Sequence, residues 1–388
     1  MRRPSCFVVP PYPHDRLDDL RAVAREVPGG MVDASVGTPV DPLPEVVARA
    51  LVDAAPAPAA TGYPPTIGTP ALRAAVVDWI SRRFGVDVSP EQALACVGTK
   101  ELVASLPRVL SLRDPSRDTV LYPAASYPTY AMGALLAGLR AVPVPVDAQW
   151  NVDVAAVSEA DAERALLLWL NDPSNPTGVT ATPAQMRERV GWARERDIVV
   201  ASDECYAEFT YDDEGQPAAP VTALAAGADG VLAVHSLSKR SNAAGLRAGF
   251  VVGDGELVGY LGEVRKHAGL MTPAPVQAAA AAALADDEHV DVQRARYARR
   301  RAVLIAALER CGLVHDGGPS TFYLWLRNAA GEEDGWRTAS RLAETGLIVA
   351  PGEFYGDCCA TRVRLALTLT DDQIACTADR LAAVTAPA

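Results

Sequence analysis

Short apolar runs alternate with amphipathic stretches between residues 42 and 269. The apolar runs predict strands at 94–97, 119–122, 141–146, 165–170, 198–202, 231–235 and 249–252. Helical patterns lie between them at 70–84, 100–112, 127–137 and 183–195, the last with Thr182 as N-cap and Pro183 in the first turn. Strands that alternate with helices are typical of a mostly parallel sheet with helices on both faces. We therefore predict an α/β fold for this part.

The pattern changes after residue 274. A long helical pattern spans 275–310, with a break near Asp286 and Asp287, and is followed by an aromatic strand at 322–326. A helix near 336–345, a strand at 362–367 and a closing helix from Asp371 complete a smaller α+β unit. The segment 10–40, rich in Pro and Gly, is expected to pack on that unit. We predict a large domain at 42–274 and a small domain built from 1–41 and 275–388.

The composition and net charge argue against some classes of binding partner. The chain has 388 residues, of which 49% are hydrophobic and 22% charged, as in globular proteins. Its net charge of −12 argues against binding nucleic acid or an anionic membrane. The apolar stretch at 278–284 is far shorter than the roughly 20 residues that span a bilayer.

Cysteine spacing and the N-terminus bear on the compartment. The seven cysteines form no C-x-x-C pattern, so neither a metal site nor a disulfide framework is predicted. The first residues have too short an apolar run for a signal peptide. We expect a cytoplasmic protein.

Three polar segments follow directly after predicted strands. They are HSLSK at 235–239 with Arg247 eight residues on, NDPSNPTG at 171–178, and ASDECY at 201–206. Each has a plain interpretation by itself, as a solvated lysine, a tight turn or a helix cap. In α/β sheets, however, ligands bind beyond the carboxyl ends of the strands. The three segments together therefore predict one binding site.

With these segments the chain resembles pyridoxal-phosphate enzymes of the aspartate aminotransferase fold type over essentially its whole length. The resemblance rests on Ser236-x-Ser238-Lys239 with Arg247, on the NPTG turn at 175–178, and on Asp203-Glu-x-Tyr206. More narrowly, ASVGTPV at 34–40, HSLSKRSN at 235–242 and RKHAG at 265–269 resemble actinobacterial N-succinyldiaminopimelate aminotransferases. The resemblance implies pyridoxal 5'-phosphate as cofactor, a large domain with a mostly parallel sheet between helices, a smaller α+β domain, and a homodimer with shared active sites.

The resemblance also implies roles for the strand-end residues. Lys239 would bind the cofactor aldehyde as a Schiff base and later move the substrate proton as base and acid. Asp203 would pair with the pyridinium nitrogen, while the neighbouring Glu204 should point to the other side of the strand. Asn175 and Tyr206 would donate hydrogen bonds to the phenolic oxygen of the ring.

The cofactor phosphate needs fixed donors. A helix predicted to open after residue 98 offers backbone N–H groups to an anion. The phosphate cup is expected to consist of Gly98, Thr99, Lys100, Ser236, Ser238 and Arg247. The resemblance adds Tyr63, reaching the phosphate from the partner subunit, and Tyr127, stacking on the pyridine ring. The sequence alone also allows Tyr63 to be an aromatic residue in a turn and Tyr127 to belong to the core.

The substrate carboxylate calls for a planar two-pronged cation, which arginine supplies. Arg362 and Arg364 fall on the same face of a short predicted strand, so their spacing does not separate them. The family pattern favours Arg364, with Gly37 and Asn175 as its substrate-binding companions. Because Gly37 and Arg364 lie near opposite chain ends, we expect the small domain to close over the substrate.

The sequence thus predicts an aminotransferase that uses glutamate and 2-oxoglutarate, and the narrower resemblance implies N-succinyl-LL-2,6-diaminopimelate of lysine biosynthesis as the other amino acid. One alternative is a pyridoxal-phosphate lyase, replacement enzyme or oxidase of specialised metabolism, because the fold type supports these reactions too. Another is a non-catalytic binding or regulatory protein. Three features stay open. Lys100 is a candidate for holding a distal substrate carboxylate, His267 either faces substrate or packs, and the segment 320–323 departs from the glycine-containing aromatic block that we expect in close relatives.

Overall fold

The computed structural model describes residues 7–57, 60–331 and 333–383. The terminal parts of the predicted small domain, 1–6 and 384–388, lie outside the described residues. Its helices are α1 (Asp18–Arg25), α2 (Glu45–Ala54), α3 (Pro70–Phe84), α4 (Thr99–Arg113), α5 (Thr129–Leu136), α6 (Glu159–Arg164), α7 (Pro183–Arg194), α8 (Leu237–Arg240), α9 (Gly255–His267), α10 (Ala274–Ala285), α11 (Glu288–Arg310), α12 (Gly335–Ala343) and α13 (Asp371–Ala382). Its strands are β1 (Val32–Asp33), β2 (Ala93–Cys96), β3 (Thr119–Pro123), β4 (Arg140–Val144), β5 (Ala165–Asn171), β6 (Val199–Asp203), β7 (Val231–Ser236), β8 (Gly249–Gly253), β9 (Leu313–His315), β10 (Tyr323–Asn328), β11 (Leu347–Ile348), β12 (Ala350–Pro351) and β13 (Val363–Ala366).

The seven strands predicted in the first part of the chain form one sheet. Their order is β2-β8-β7-β6-β5-β3-β4, in which β8 runs antiparallel to both of its neighbours and the pairs from β7 to β4 are parallel. The predicted α/β fold is confirmed. The central strands read as continuous apolar runs because helices cover both faces, and every residue of β5 is buried. Parallel pairing brings the carboxyl ends of β5, β6 and β7 to one edge, at Asn171, Asp203 and Ser236.

Local capping explains why the predicted bounds of α3 and the predicted start of α7 agree with the structure. Thr69 accepts a hydrogen bond from the backbone of Leu72 and Pro70 fills the first position of α3, while Gly85, with φ of 66°, ends it. Thr182 and Gln185 form a capping box at the start of α7. The prediction for 127–137 was too long, because α5 begins only at Thr129, after Pro128.

A second, smaller sheet is antiparallel, in the order β12-β13-β10-β9. The break predicted near Asp286 and Asp287 is confirmed, since α10 ends before it and α11 begins after it. Strand β1 pairs in parallel with β11, which brings the N-terminal segment onto the C-terminal part of the chain. This pairing supports our division into a large domain and a small domain made from both chain ends, which stays a proposal.

Within the described ranges, none of the helices is long and apolar enough to cross a membrane.

Candidate active site

A cavity of about 300 Å³ opens where β5, β6 and β7 end. The predicted site residues that line it are Gly37, Thr99, Lys100, Tyr127, Asn175, Asp203, Tyr206, Ser236, Ser238, Lys239, Arg247 and Arg364. They come from the loops after several strands and from both ends of the chain. The structure therefore brings together residues that the sequence linked only by motif.

Lys239 lies on the short helix α8, which starts directly after β7. Ser236 caps this helix, because its hydroxyl accepts a hydrogen bond of 3.1 Å from the backbone N–H of Ser238. The cap fixes the direction in which the chain leaves the sheet. The Lys239 ammonium reaches across the cavity and donates to the carbonyl of Gly37. A single hydrogen bond thus joins the central lysine to the N-terminal segment.

Asp203 ends β6 and is buried beneath the cavity. Its carboxylate accepts a hydrogen bond of 2.9 Å from the hydroxyl of Tyr130 and one of 3.2 Å from the backbone N–H of Cys205. Burial raises the pKa of Asp203, and the hydrogen bonds from Cys205 and Tyr130 act against that rise. A cation next to this carboxylate would therefore be strongly stabilised.

Glu204 points to the opposite side of the strand end, as strand alternation predicts. Its carboxyl accepts a hydrogen bond of 2.8 Å from the backbone N–H of Ala223 and lies 3.5 Å from His235 Nε2. Burial raises the pKa of Glu204 to about 8 and lowers the pKa of His235 to about 3. Both groups are therefore neutral at pH 7, and neither lines the cavity.

One part of the cavity wall is formed by the start of α4 and by Arg247. Gly98 precedes this helix with φ of 73°, a left-handed conformation that favours glycine. A Cβ at Gly98 would lie 2.1 Å from Nη2 of Arg247, so the missing side chain makes room for the guanidinium. Backbone N–H groups of the first turn and one guanidinium thus face the same space.

Arg364 lies on β13 and presents a fixed guanidinium to the cavity. It donates to Asn175 Oδ1 at 2.8 Å and to the carbonyl of Ser35 at 2.7 Å. The rings of Tyr323 and Tyr355 lie 4.0 and 4.7 Å from its Cζ atom.

The alternative arginine has a different partner. Arg362 donates to Asp316 at 2.7 Å and lies against the ring of Trp150 rather than on the cavity. The geometry thus separates two arginines that spacing could not.

Besides Glu204 and Arg362, three residues singled out in the sequence do not line the cavity; they are Gly98, Tyr63 and His267. Tyr63 is 94% exposed. His267, for which the sequence left two interpretations open, is exposed at the end of α9 and does not line the cavity.

Comparison with known proteins gives the family. A model of the family described as aminotransferase class I and II matches residues 30–381. The chain belongs to the class I and II aminotransferases. Enzymes of this class transfer amino groups and depend on pyridoxal 5'-phosphate.

This aminotransferase has relatives with different named activities. It is 45% identical to the 4-dedimethylamino-4-oxo-anhydrotetracycline transaminase OxyQ of Streptomyces rimosus, over 96% of this chain and 99% of the relative. It is 32% identical to an LL-diaminopimelate aminotransferase of Aquifex aeolicus, over 96% of each chain. A solved structure of a probable N-succinyldiaminopimelate aminotransferase from Thermus thermophilus superimposes with a TM-score of 0.85 at 30% identity, covering 95% of this chain and 99% of that one. The aspartate-aminotransferase-like fold is confirmed.

The cavity of this aminotransferase fits the cofactor of its class. A phosphate matches the helix start beside Arg247, where glycine at position 98 leaves the space that a side chain would fill. A protonated ring nitrogen matches the buried carboxylate of Asp203. Lys239 supplies a primary amine in the same cavity. Charge, hydrogen-bond donors and a nucleophile thus occur in the arrangement that the cofactor needs.

Other residues of the aminotransferase cavity were missed by sequence analysis. They include Tyr12, His14, Tyr130, Tyr323 and Tyr355. A signal existed for Tyr130, which follows Tyr127 by three residues, and for Tyr323, which is the second residue of the aromatic strand predicted at 322–326. Tyr12 and His14 carried none, because only tertiary packing of the N-terminal segment brings them to the cavity.

Proposed function

We propose that this aminotransferase takes the amino group of glutamate, releases 2-oxoglutarate, and passes the amino group to a keto acid that carries a second anionic group. The observation that carries the proposal is that Arg364 and Lys100 line the same cavity as Lys239. A dicarboxylate places one charge against each of these two cations. Glutamate is the common amino donor with that shape.

Arg364 is proposed to bind the α-carboxylate. Its contacts with Asn175 and Ser35 fix the plane of the guanidinium, so the remaining N–H groups have a set direction. Arginine is required there because lysine cannot make two parallel hydrogen bonds to a carboxylate.

Lys239 is proposed to accept the proton from the substrate Cα and to return it on the other side of the transfer. The cofactor supplies an aldehyde that carries the amino group and a ring that takes up the electron pair released at Cα. Asp203 would keep the proton on the ring nitrogen, and Tyr206 would donate a hydrogen bond to the ring oxygen. The backbone of the first turn of α4, with Ser236, Ser238 and Arg247, holds the phosphate.

For the amino acceptor we propose the keto acid of N-succinyl-LL-2,6-diaminopimelate, which places the enzyme in lysine biosynthesis. The blocks at 34–40, 235–242 and 265–269 support this choice. So do the relatives named as LL-diaminopimelate and probable N-succinyldiaminopimelate aminotransferases. Lys100 lies 5.4 Å from the ring centre of Tyr12 and 6.0 Å from that of Tyr127, where it is available to a distal carboxylate.

A second candidate has its own observation. The 45% identity to a transaminase of an anhydrotetracycline exceeds the 32% identity to the diaminopimelate enzyme. That difference favours a keto group on a specialised metabolite as the acceptor. Aliphatic keto diacids and aromatic ketones, each tested as acceptors after the glutamate half-reaction, separate the two candidates. Only the class of compound that contains the true acceptor restores turnover.

The proposal includes a cytoplasmic homodimer whose subunits share their active sites. The exposure of Tyr63, an aromatic residue on a surface turn, supports a partner subunit that covers it.

The proposed function is tested by mixing the cofactor-loaded enzyme with glutamate and no acceptor. We expect about one 2-oxoglutarate per active site, since half of a two-step transfer stops there. Lys239→Ala should reduce the rate constant of this burst by roughly 10²–10⁴-fold, because the proton-transfer group is lost. Lys266→Ala is the matched control, because Lys266 is exposed and paired with Glu263 at the end of α9.

Two results would contradict the proposal. Release of ammonia or peroxide with continuous turnover of glutamate indicates an elimination or an oxidase reaction. Tight cofactor binding with no 2-oxoglutarate from any amino acid indicates a non-catalytic protein.

A further inference from the structure

Tyr323 was not among the predicted site residues, yet it contacts two of them at once. Its hydroxyl lies 3.0 Å from the hydroxyl of Tyr206, on the cofactor side of the cavity. The centre of its ring lies 4.0 Å from Cζ of Arg364, on the substrate side. One buried side chain therefore joins the groups to which we assign cofactor tuning and carboxylate binding.

Position 37 shows how closely Tyr323 is fitted into the site. A Cβ at Gly37 would lie 2.0 Å from the hydroxyl oxygen of Tyr323, so only glycine fits beside it. The carbonyl of Gly37 accepts the hydrogen bond from Lys239. Tyr323 thus packs against the backbone that Lys239 contacts, as well as against Tyr206 and Arg364.

The backbone before Tyr323 is held in a conformation that its residue type disfavours. Thr321 is β-branched and fully buried, and its φ is 66°, in the left-handed region. Three interactions hold it. Its N–H donates to Phe209, its Oγ1 accepts from the N–H of Tyr323, and Arg301 donates to its carbonyl. Such conformations persist where the surroundings fix them, and they cluster at functional sites.

We propose that Tyr323 is a positioning residue for the transfer reaction, aimed by Thr321, that couples the hydroxyl of Tyr206 to the guanidinium of Arg364. The proposal rests on the proposed function. If Tyr206 donates its one proton to the cofactor, it must accept the hydrogen bond from Tyr323. The Tyr323 hydroxyl then strengthens Tyr206 as a donor, and the Tyr323 ring keeps Arg364 in the orientation that receives a carboxylate.

Two substitutions separate the hydroxyl from the ring. Tyr323→Phe keeps the ring and removes the hydroxyl. We expect the pH midpoint of the visible absorbance of the bound cofactor to rise by about half a unit or more, because Tyr206 becomes a weaker donor. We expect kcat to fall about tenfold with KM for glutamate within about twofold. Tyr323→Leu also removes the ring and should raise that KM about tenfold as well.

The matched control is Tyr355→Phe. The Tyr355 ring also lies beside Arg364, but its buried hydroxyl has no hydrogen-bond partner among the described residues. This variant should leave the absorbance midpoint in place. The titratable and charged groups around the two hydroxyls are Tyr130, Cys205, Lys239, Tyr297, Tyr355 and Arg364. The Tyr323 variants retain all of them, and the control removes only the hydroxyl of Tyr355. Thermal denaturation of each holoenzyme checks that the fold is intact.

The proposal is overturned if Tyr323→Phe has the absorbance midpoint of the wild type, or if Tyr323→Leu leaves KM for glutamate unchanged. The proposed function fails separately, when the wild-type enzyme gives no 2-oxoglutarate from glutamate. In that case the absorbance midpoints of Tyr323→Phe and Tyr355→Phe still decide the link between Tyr323 and Tyr206.

Discussion

Lys100 has no carboxylate partner among the described residues, although it lines the cavity of an acidic protein. Burial lowers the pKa of its ammonium, but the neighbouring hydroxyls of Tyr127 and Tyr12 raise it above the ordinary value. The side chain therefore stays charged at pH 7. A cation without a counter-ion attracts an anion, and Lys100 lines the cavity in which we propose that the substrate binds.

We therefore predict that Lys100→Met changes the choice of amino donor. KM for glutamate should rise about tenfold, because one of two charge interactions is lost. KM for alanine, which has no distal carboxylate, should stay within about twofold. Steady-state kinetics with both donors measure the difference, and Lys266→Met serves as the surface control. An equal rise for both donors would show that Lys100 contacts the cofactor instead.

At the scale of the element, the start of α4 decides how the anion end of the cavity is built. The helix has 15 residues, and its first N–H groups have no partner within the helix. Gly98 sets the angle at which the chain enters the helix and leaves the space that Arg247 occupies. The helix and the arginine thus depend on one residue without a side chain.

Gly98→Ala should weaken cofactor binding about tenfold or more, because the added methyl group displaces the guanidinium of Arg247 from the anion site. The matched control is Gly85→Ala at the end of α3. Gly85 has a similar φ of 66°, but no atom lies within 4 Å of its Cβ position. Gly85→Ala should lose about 1 kcal/mol of stability because Gly85 is in the αL region, and Gly98→Ala about 1–3 kcal/mol, because a ψ of 150° at its φ is a conformation that essentially only glycine adopts. Cofactor dissociation measured by fluorescence titration tests this, and equal weakening in the two variants would contradict it.

Elements with strong local signals could be predicted from the sequence. The predicted bounds of α3, α7 and β5 agree closely with the structure, because residues that are neighbours in the chain determine them. These local signals are the caps at Thr69 and Thr182 and the buried apolar run of β5. Helices α1, α2, α6, α8 and α9 were missed. In the site, the residues in strand-end motifs were found, whereas Tyr12 and His14 reach the cavity only through packing of distant segments.

At the scale of the whole molecule, charge is distributed unevenly. The chain carries a net charge of −12, yet the cavity contains Lys100, Lys239, Arg247 and Arg364. Asp203 is the buried carboxylate among its lining residues. An anionic substrate is therefore repelled by most of the surface and attracted at one place. The rate at which dicarboxylates associate with the enzyme should accordingly change with salt concentration, because salt screens this attraction and repulsion.

The proposed sharing of sites between subunits can be tested by mixing inactive variants. Tyr63→Ala and Lys239→Ala homodimers should each have low activity. In a hybrid dimer, one site combines the intact Tyr63 of one subunit with the intact Lys239 of the other. After exchange of subunits we expect about a quarter of the wild-type rate, the value for random pairing with one intact site per hybrid. If mixing restores no activity, Tyr63 does not act across the dimer.

The hydrogen bond from Arg364 to Ser35 joins positions that are 329 residues apart in the chain. During synthesis the N-terminal segment leaves the ribosome first and has to wait for β11 and β13 before it can pair. Apart from Tyr63, the residues assigned to the cofactor lie between Gly98 and Arg247 and have emerged long before Arg364. The growing chain therefore contains the residues proposed to hold the cofactor before it contains the arginine proposed to hold the substrate.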